Sequence, residues 1–146
     1  MTETFEILNG DTYMYEPPDS ERYIDCFDLH VAEIYHGYAY SENEETLMYF
    51  GIGYELDCDM SEENIAETFE RYEGKADSVR ITEPKGGIFD LRAELRNDKT
   101  FWIQYLKRID EYELLSCELH TDLKIPLEGI IKDFEKFAAS CKNLST

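Results

Sequence analysis

The stretch IFDLRAELRNDKTFWIQYLKRIDEYELLSCELHTD, residues 88–122, decides the fold. Phe89, Leu91, Ala93 and Leu95 alternate with Asp90, Arg92, Glu94 and Arg96, the period of two of a half-buried strand. Arg96-Asn97-Asp98-Lys99 reads as a hairpin turn. Phe101, Ile103 and Tyr105 share one face of the next strand, and Asp110-Glu111 turns the chain again. Tyr112 to Thr121 is a third strand with Leu115, Cys117 and Leu119 facing inward. Short turns between such strands make an antiparallel meander, and the clean alternation predicts a sheet with one wet face.

Working outward, Val79 to Ile81 is a short strand ending near Pro84, with Gly86-Gly87 as a turn. After the meander, Pro126 suits a first helical position. Leu127, Ile130, Ile131, Phe134, Phe137 and Ala138 form an apolar stripe that should pack across the sheet. Gly129 inside this helix costs about 1 kcal/mol against Ala. Upstream, Asp59 is expected as an N-cap with Glu62 completing a capping box. Ile65, Phe69 and Tyr72 fall on one face of that helix, and Gly74 ends it.

Further upstream, Ile24 to Tyr40 reads as one long strand, with Gly37 marking a bulge or bend. Ser41-Glu42-Asn43-Glu44 is a polar turn, and Thr46 to Tyr54 returns as its hairpin partner. Phe5 to Tyr15 holds one short strand broken by Asn9-Gly10-Asp11. The expected architecture is α+β. It is one domain spanning 1–146, an antiparallel sheet of about six strands in meander and hairpins. A short mid-chain helix and a C-terminal amphipathic helix pack on that sheet. Strand order and oligomeric state stay open.

Charge is the strongest compositional signal, at −19 over 146 residues. Up to Asp77 there are 21 acidic and 3 basic residues, a net of −18; beyond it there are 12 and 11, a net of −1. The acidic half repels phosphates and anionic membranes and speeds encounter with basic surfaces. Direct nucleic-acid binding and membrane association are therefore not expected, and a basic protein partner is. Met1 to Phe5 carry neither a basic nor an apolar leader pattern, and no apolar run nears the roughly 18 residues of a membrane span. A cytoplasmic location is expected. Cys26, Cys58, Cys117 and Cys141 form no CxxC pair and read as reduced, mostly buried thiols.

Motifs for chemistry are absent: no GxGxxG, Walker loop, GxSxG or HExxH occurs. His30 and His120 sit on expected strands and could approach each other, yet no spacing supplies further zinc ligands. Asp57-Cys58-Asp59-Met60-Ser61 begins like a calcium loop, but Glu62 replaces the turn glycine and Thr68 the bidentate glutamate. No catalytic residue, metal or cofactor is expected. A carboxylate-rich surface is the candidate site, able to imitate a phosphate backbone. It comprises Glu62, Glu63, Glu67, Glu70 and Glu73 on the helix, with Glu42, Glu44 and Glu45 on the turn. Tyr38, Tyr40 and Tyr49 are candidate exposed anchors.

Several of these segments resemble the WapI-type family of bacterial immunity proteins. They are Ile81-Thr82-Glu83-Pro84, Phe89-Asp90-Leu91, the alternating strand to Leu95, the aromatic strand with Trp102 and the closing helix from Leu127 to Phe137. Glu55-Leu56-Asp57 entering a short helix is also similar. The long Tyr-rich hairpin and the acidity of the first half depart from the pattern. The resemblance implies a non-enzymatic inhibitor of a cognate toxin in the cytoplasm, many such toxins being nucleases with basic clefts. It supplies no catalytic residues. Two other readings stay open: a phage or mobile-element anti-defence inhibitor mimicking phosphates, and a small enzyme or ligand-binding domain with a pocket between sheet and helix.

Overall fold

Two antiparallel sheets and two helices make up the computed structural model, an α+β fold in which strands predominate. It describes residues 2–7, 10–18, 22–29, 34–56 and 59–145, with the backbone alone at 25–29, 34–36 and 54–56. In chain order come β1 (Glu3–Glu6), β2 (Thr12–Tyr15), β3 (Ile24–Leu29), β4 (Ile34–Glu42), β5 (Glu45–Leu56) and α1 (Glu62–Glu73). Then follow β6 (Ser78–Thr82), β7 (Leu91–Arg96), β8 (Thr100–Arg108), β9 (Glu113–Asp122), α2 (Glu128–Ala139) and β10 (Lys142–Asn143). The large sheet has the order β3-β4-β5-β9-β8-β7-β6, and the small one β1-β2-β10.

The expected meander is present as β7-β8-β9, with Leu95 opposite Trp102 and Tyr105 opposite Cys117. The expected hairpin is β4-β5, closed by Asn43 and Glu44 at positive φ of 51° and 67°. Pairing of β5 with β9 splices the hairpin to the meander, which local patterning does not show.

Three expectations change. The segment 24–40 holds two antiparallel paired strands, β3 and β4, with Leu29 opposite Ile34; in sequence, no Gly or Pro separates them to interrupt the alternation. Register shifts fall between Ile34 and His36 and between Tyr40 and Ser41, whereas Gly37 pairs regularly with Gly51. Near the N-terminus there are two strands, β1 and β2, and Gly10 at φ 90° belongs to the turn between them. Third, neither face of the large sheet is wet across the meander.

On one face, Phe50, Ile52, Ile103, Tyr105, Leu115, Cys117 and Leu119 pack with Phe134 and Phe137 of α2. The small sheet adds Tyr13 and Tyr15, the latter edge-on to Phe137 at 5.1 Å. Fully burying each such aromatic contributes about 2–3 kcal/mol. Arg92, expected in water, is 1% exposed on this same face. It is tolerated because its guanidinium meets Glu135 of α2 at 2.7 Å, Glu94 at 3.0 Å and Thr82 Oγ1 at 3.1 Å. The Tyr105 hydroxyl also donates to Glu135. A buried charge is retained only where it is paired and hydrogen-bonded.

On the opposite face, α1 sets Ile65 and Phe69 on Ala93, Leu95, Trp102, Leu106 and Leu114. The apolar stripe of α2 is met, with Ile130, Phe134, Phe137 and Ala138 buried, but the helix begins later than expected: Leu127 is the N-cap and Glu128 the first helical residue, so Pro126 stands before the cap. Cys117 and Cys141 are buried free thiols, as read from the sequence; Cys26 and Cys58 lie outside the described side chains.

Candidate partner-binding surface

The acidic helix starts one residue pair later in its capping than expected. Ser61 is the N-cap, its Oγ accepting from the Asn64 amide at 3.1 Å. Asp59 instead accepts from the Ser61 amide at 2.8 Å, and the carbonyl of Asp59 binds the Asn64 side chain. The calcium-like spacing is thus used as a cap, although Asp57 and Cys58 lie outside the described residues. Gly74 ends the helix at φ 88°, donating to the Glu70 carbonyl at 3.1 Å.

Anchored by Ile65 and Phe69, α1 presents Glu62, Glu63, Glu67 and Glu70 to solvent, with Arg71 as its one basic residue. None of the four carboxylates is ion-paired among the described residues. Glu63 and Glu67 are i,i+4 like charges, which cost a helix a few tenths of a kcal/mol, so packing holds it. Tyr72, expected in the core, is 48% exposed and leans over Trp102 at 6.2 Å.

Glu73 departs from that set. It is half-buried, and burial pushes its carboxyl above the usual range. Its backbone carbonyl accepts from the Asn97 side chain at 2.8 Å.

Glu42, Glu44 and Glu45 are exposed at the β4-β5 turn. They form a second patch, since α1 lies against β6 and β7 in the other half of the sheet. Glu45 is drawn to Lys124 at 3.5 Å.

The tyrosines separate. Tyr38 is a correction: at 5% exposure it is a core residue, packed on Phe50 and Phe137, because its cross-strand partner is Phe50. Tyr40 is half-buried and its hydroxyl donates to Glu42, the bond that chiefly holds its pKa up. Tyr49 is half-buried too, its hydroxyl 3.0 Å from His120 Nδ1, and burial raises its pKa.

Behind Tyr49 lies a polar strip that sequence reasoning did not find. Glu118, fully buried, accepts from Gln104 Nε2 at 2.9 Å and Ser116 Oγ at 3.4 Å. Its neighbour across the ladder is Gly51, which lacks a side chain and leaves room. His120 stacks on Trp102 with centroids 3.7 Å apart and planes 13° apart. Burial lowers its pKa to about 3, so the ring is uncharged at neutral pH. Its Nε2, 3.5 Å from Glu118, therefore makes no ion pair there. The signal was in plain view, Ser116, Glu118 and His120 recurring at period two, but the one-wet-face expectation assigned them to solvent.

A cavity of about 310 Å³ opens between Arg22, Tyr40 and Glu42 on one side and Ile125, Pro126, Gly129 and Ile130 on the other. Arg22 lies over the first turn of α2 and reaches Asp133 at 3.6 Å, and the Tyr23 hydroxyl donates to the same carboxylate. Glycine at 129 lets it settle there, since a Cβ would stand 3.3 Å from its Nη1. No sequence signal joins these distant segments.

Among the described residues no group of three or more His, Cys, Asp or Glu is placed to hold a metal ion. The expected approach of His30 to His120 lies outside the described residues. No described helix is long and apolar enough to cross a membrane. The chain matches no family model, and no curated protein matches it.

Proposed function

We propose that this chain is a non-enzymatic inhibitor that binds a basic protein partner, as an immunity protein neutralises a bacterial toxin. The supporting observation is the solvent face of α1, where Glu62, Glu63, Glu67 and Glu70 stand together without cationic partners among the described residues. Exposed charges of one sign on a rigid, well-anchored helix raise the association rate with a surface of opposite sign and select against wrong partners. The turn glutamates extend the same field at a second point. The resemblance to WapI-type immunity proteins supports the toxin as partner class, and the acidic field suits a nuclease with a basic cleft.

Capture with tagged protein at low and at high salt tests this. A basic partner that is retained at low salt, released at high salt and lost on replacing Glu63, Glu67 and Glu70 by Lys is the expected result. Retention by the charge-reversed protein would remove α1 from the site. The partner's identity separates a toxin from a nucleic-acid-binding defence enzyme, the partner of the anti-defence alternative.

A further inference from the structure

We propose that the cavity beside α2 seats one arginine side chain of the partner, with Glu42 as its carboxylate. The inference rests on the binding of a basic partner and names where one of its residues is anchored.

The charges around the cavity decide its occupant. Arg22 is answered by Asp133 at 3.6 Å. The positive end of α2 is answered by Glu128 in its first turn. Glu42 accepts from the neutral Tyr40 hydroxyl and makes no ion pair among the described residues, while Arg22 on the same lining is engaged by Asp133, so Glu42 is the rim carboxylate open to a partner's cation. The Tyr40 hydroxyl donates to Glu42, which holds the carboxylate at the rim.

The walls fit a long cationic side chain. Ile125, Pro126 and Ile130 offer an apolar surface for a methylene stem, while the charged head stays at the exposed rim. A volume of about 310 Å³ is at the small end for ligand pockets and is ample for one long side chain. Arginine suits the site better than lysine, because a planar guanidinium can fork onto the carboxylate and lie over the Tyr40 ring.

The test uses the full chain and the peptide acetyl-Gly-Arg-Gly-amide, followed by amide chemical shifts. Shifts at Tyr40, Glu42, Ile125 and Gly129, with a dissociation constant on the order of 1 mM, are expected. The uncharged citrulline peptide and the Glu42→Gln variant should each bind at least tenfold more weakly, with thermal stability of the variant unchanged. Equal binding of arginine and citrulline peptides, or shifts confined to α1, would overturn the proposal. If the arginine peptide fills the cavity but the captured partner ignores reversal of Glu63, Glu67 and Glu70, the α1 reading fails and the cavity stands. If the partner requires α1 but the peptide leaves the cavity unmoved, the cavity fails and the α1 reading stands.

Discussion

The two faces of the seven-stranded sheet bury ionisable groups in opposite ways. Under α2 a charge is kept: Arg92 is 1% exposed and ringed by Glu94, Glu135 and Thr82. Under α1 the charge is removed: His120 is as deeply buried, stacked on Trp102, and neutral. The difference follows from the neighbours. The α2 face closes two carboxylates on the guanidinium at 2.7 and 3.0 Å, whereas His120 lies flat on Trp102, with a neutral tyrosine hydroxyl at Nδ1 and the nearest carboxylate, Glu118, 3.5 Å from Nε2. The two helices differ accordingly. α2 is fixed by a long aromatic core and an ion network, whereas α1 rests on two deep anchors and spends its remaining surface on charge.

The largest effect expected from this comparison is at Arg92. Arg92→Ala leaves Glu135 without its partner and should lower unfolding free energy by about 3–5 kcal/mol in a urea melt. Replacing Arg92 and Glu135 together by Met should recover most of that loss, because no orphaned charge remains. A double variant as unstable as the single one would contradict the account of that face.

His120 gives the next effect, through pH. Its folded pKa of about 3 lies below the ordinary histidine value, so the unfolded chain takes up the proton first as pH falls. Stability is therefore lost from about pH 6.5 downward and the loss levels off near pH 3, reaching about 3 kcal/mol at pH 4.5. Chemical denaturation of wild type and His120→Gln across this range should show the gap between them closing as pH falls. Parallel curves would mean that the ring is not held neutral.

Ser61→Ala should cost about 1 kcal/mol by removing the cap that holds the acidic helix, whereas Asp59→Ala should cost less. The smallest change runs the other way. Gly129→Ala should stabilise by about 0.5 kcal/mol, as the gain in helix propensity outweighs a slight shift of the flexible Arg22 head. Thermal melts of both variants check the signs.

Periodicity alone located the meander, the β4-β5 hairpin and the α2 stripe, since each is a local pattern. What it missed depends on distant pairing. β10 is only two residues long and exists because β2 lies beside it. Tyr38 looks like any tyrosine on an alternating strand until Phe50 is placed opposite and Phe137 above. Arg92 reads as solvent-facing on its strand, and Glu118 and His120 likewise on theirs; they lie on opposite faces of the sheet, and both faces are covered. Within the candidate surface, Glu62, Glu63, Glu67 and Glu70 were legible because helical period fixes a solvent face. Glu73 was not, because its environment is set by Asn97 and Trp102 from β7-β8. The cavity was invisible, being assembled from β4, Arg22 two residues before β3, and the approach to and first turns of α2.

The most direct test of the central claim is the association rate of the captured partner with three forms of the protein, measured against salt. The forms are wild type, Glu63/Glu67/Glu70→Lys on α1, and a control carrying the same charge change at the exposed Glu6, Glu83 and Glu111. A drop of at least about tenfold for the α1 form at low salt, fading as salt rises, with a much smaller drop for the control, is the predicted result. Equal rates for the two reversed forms would show that net charge alone matters and that α1 is not the binding surface.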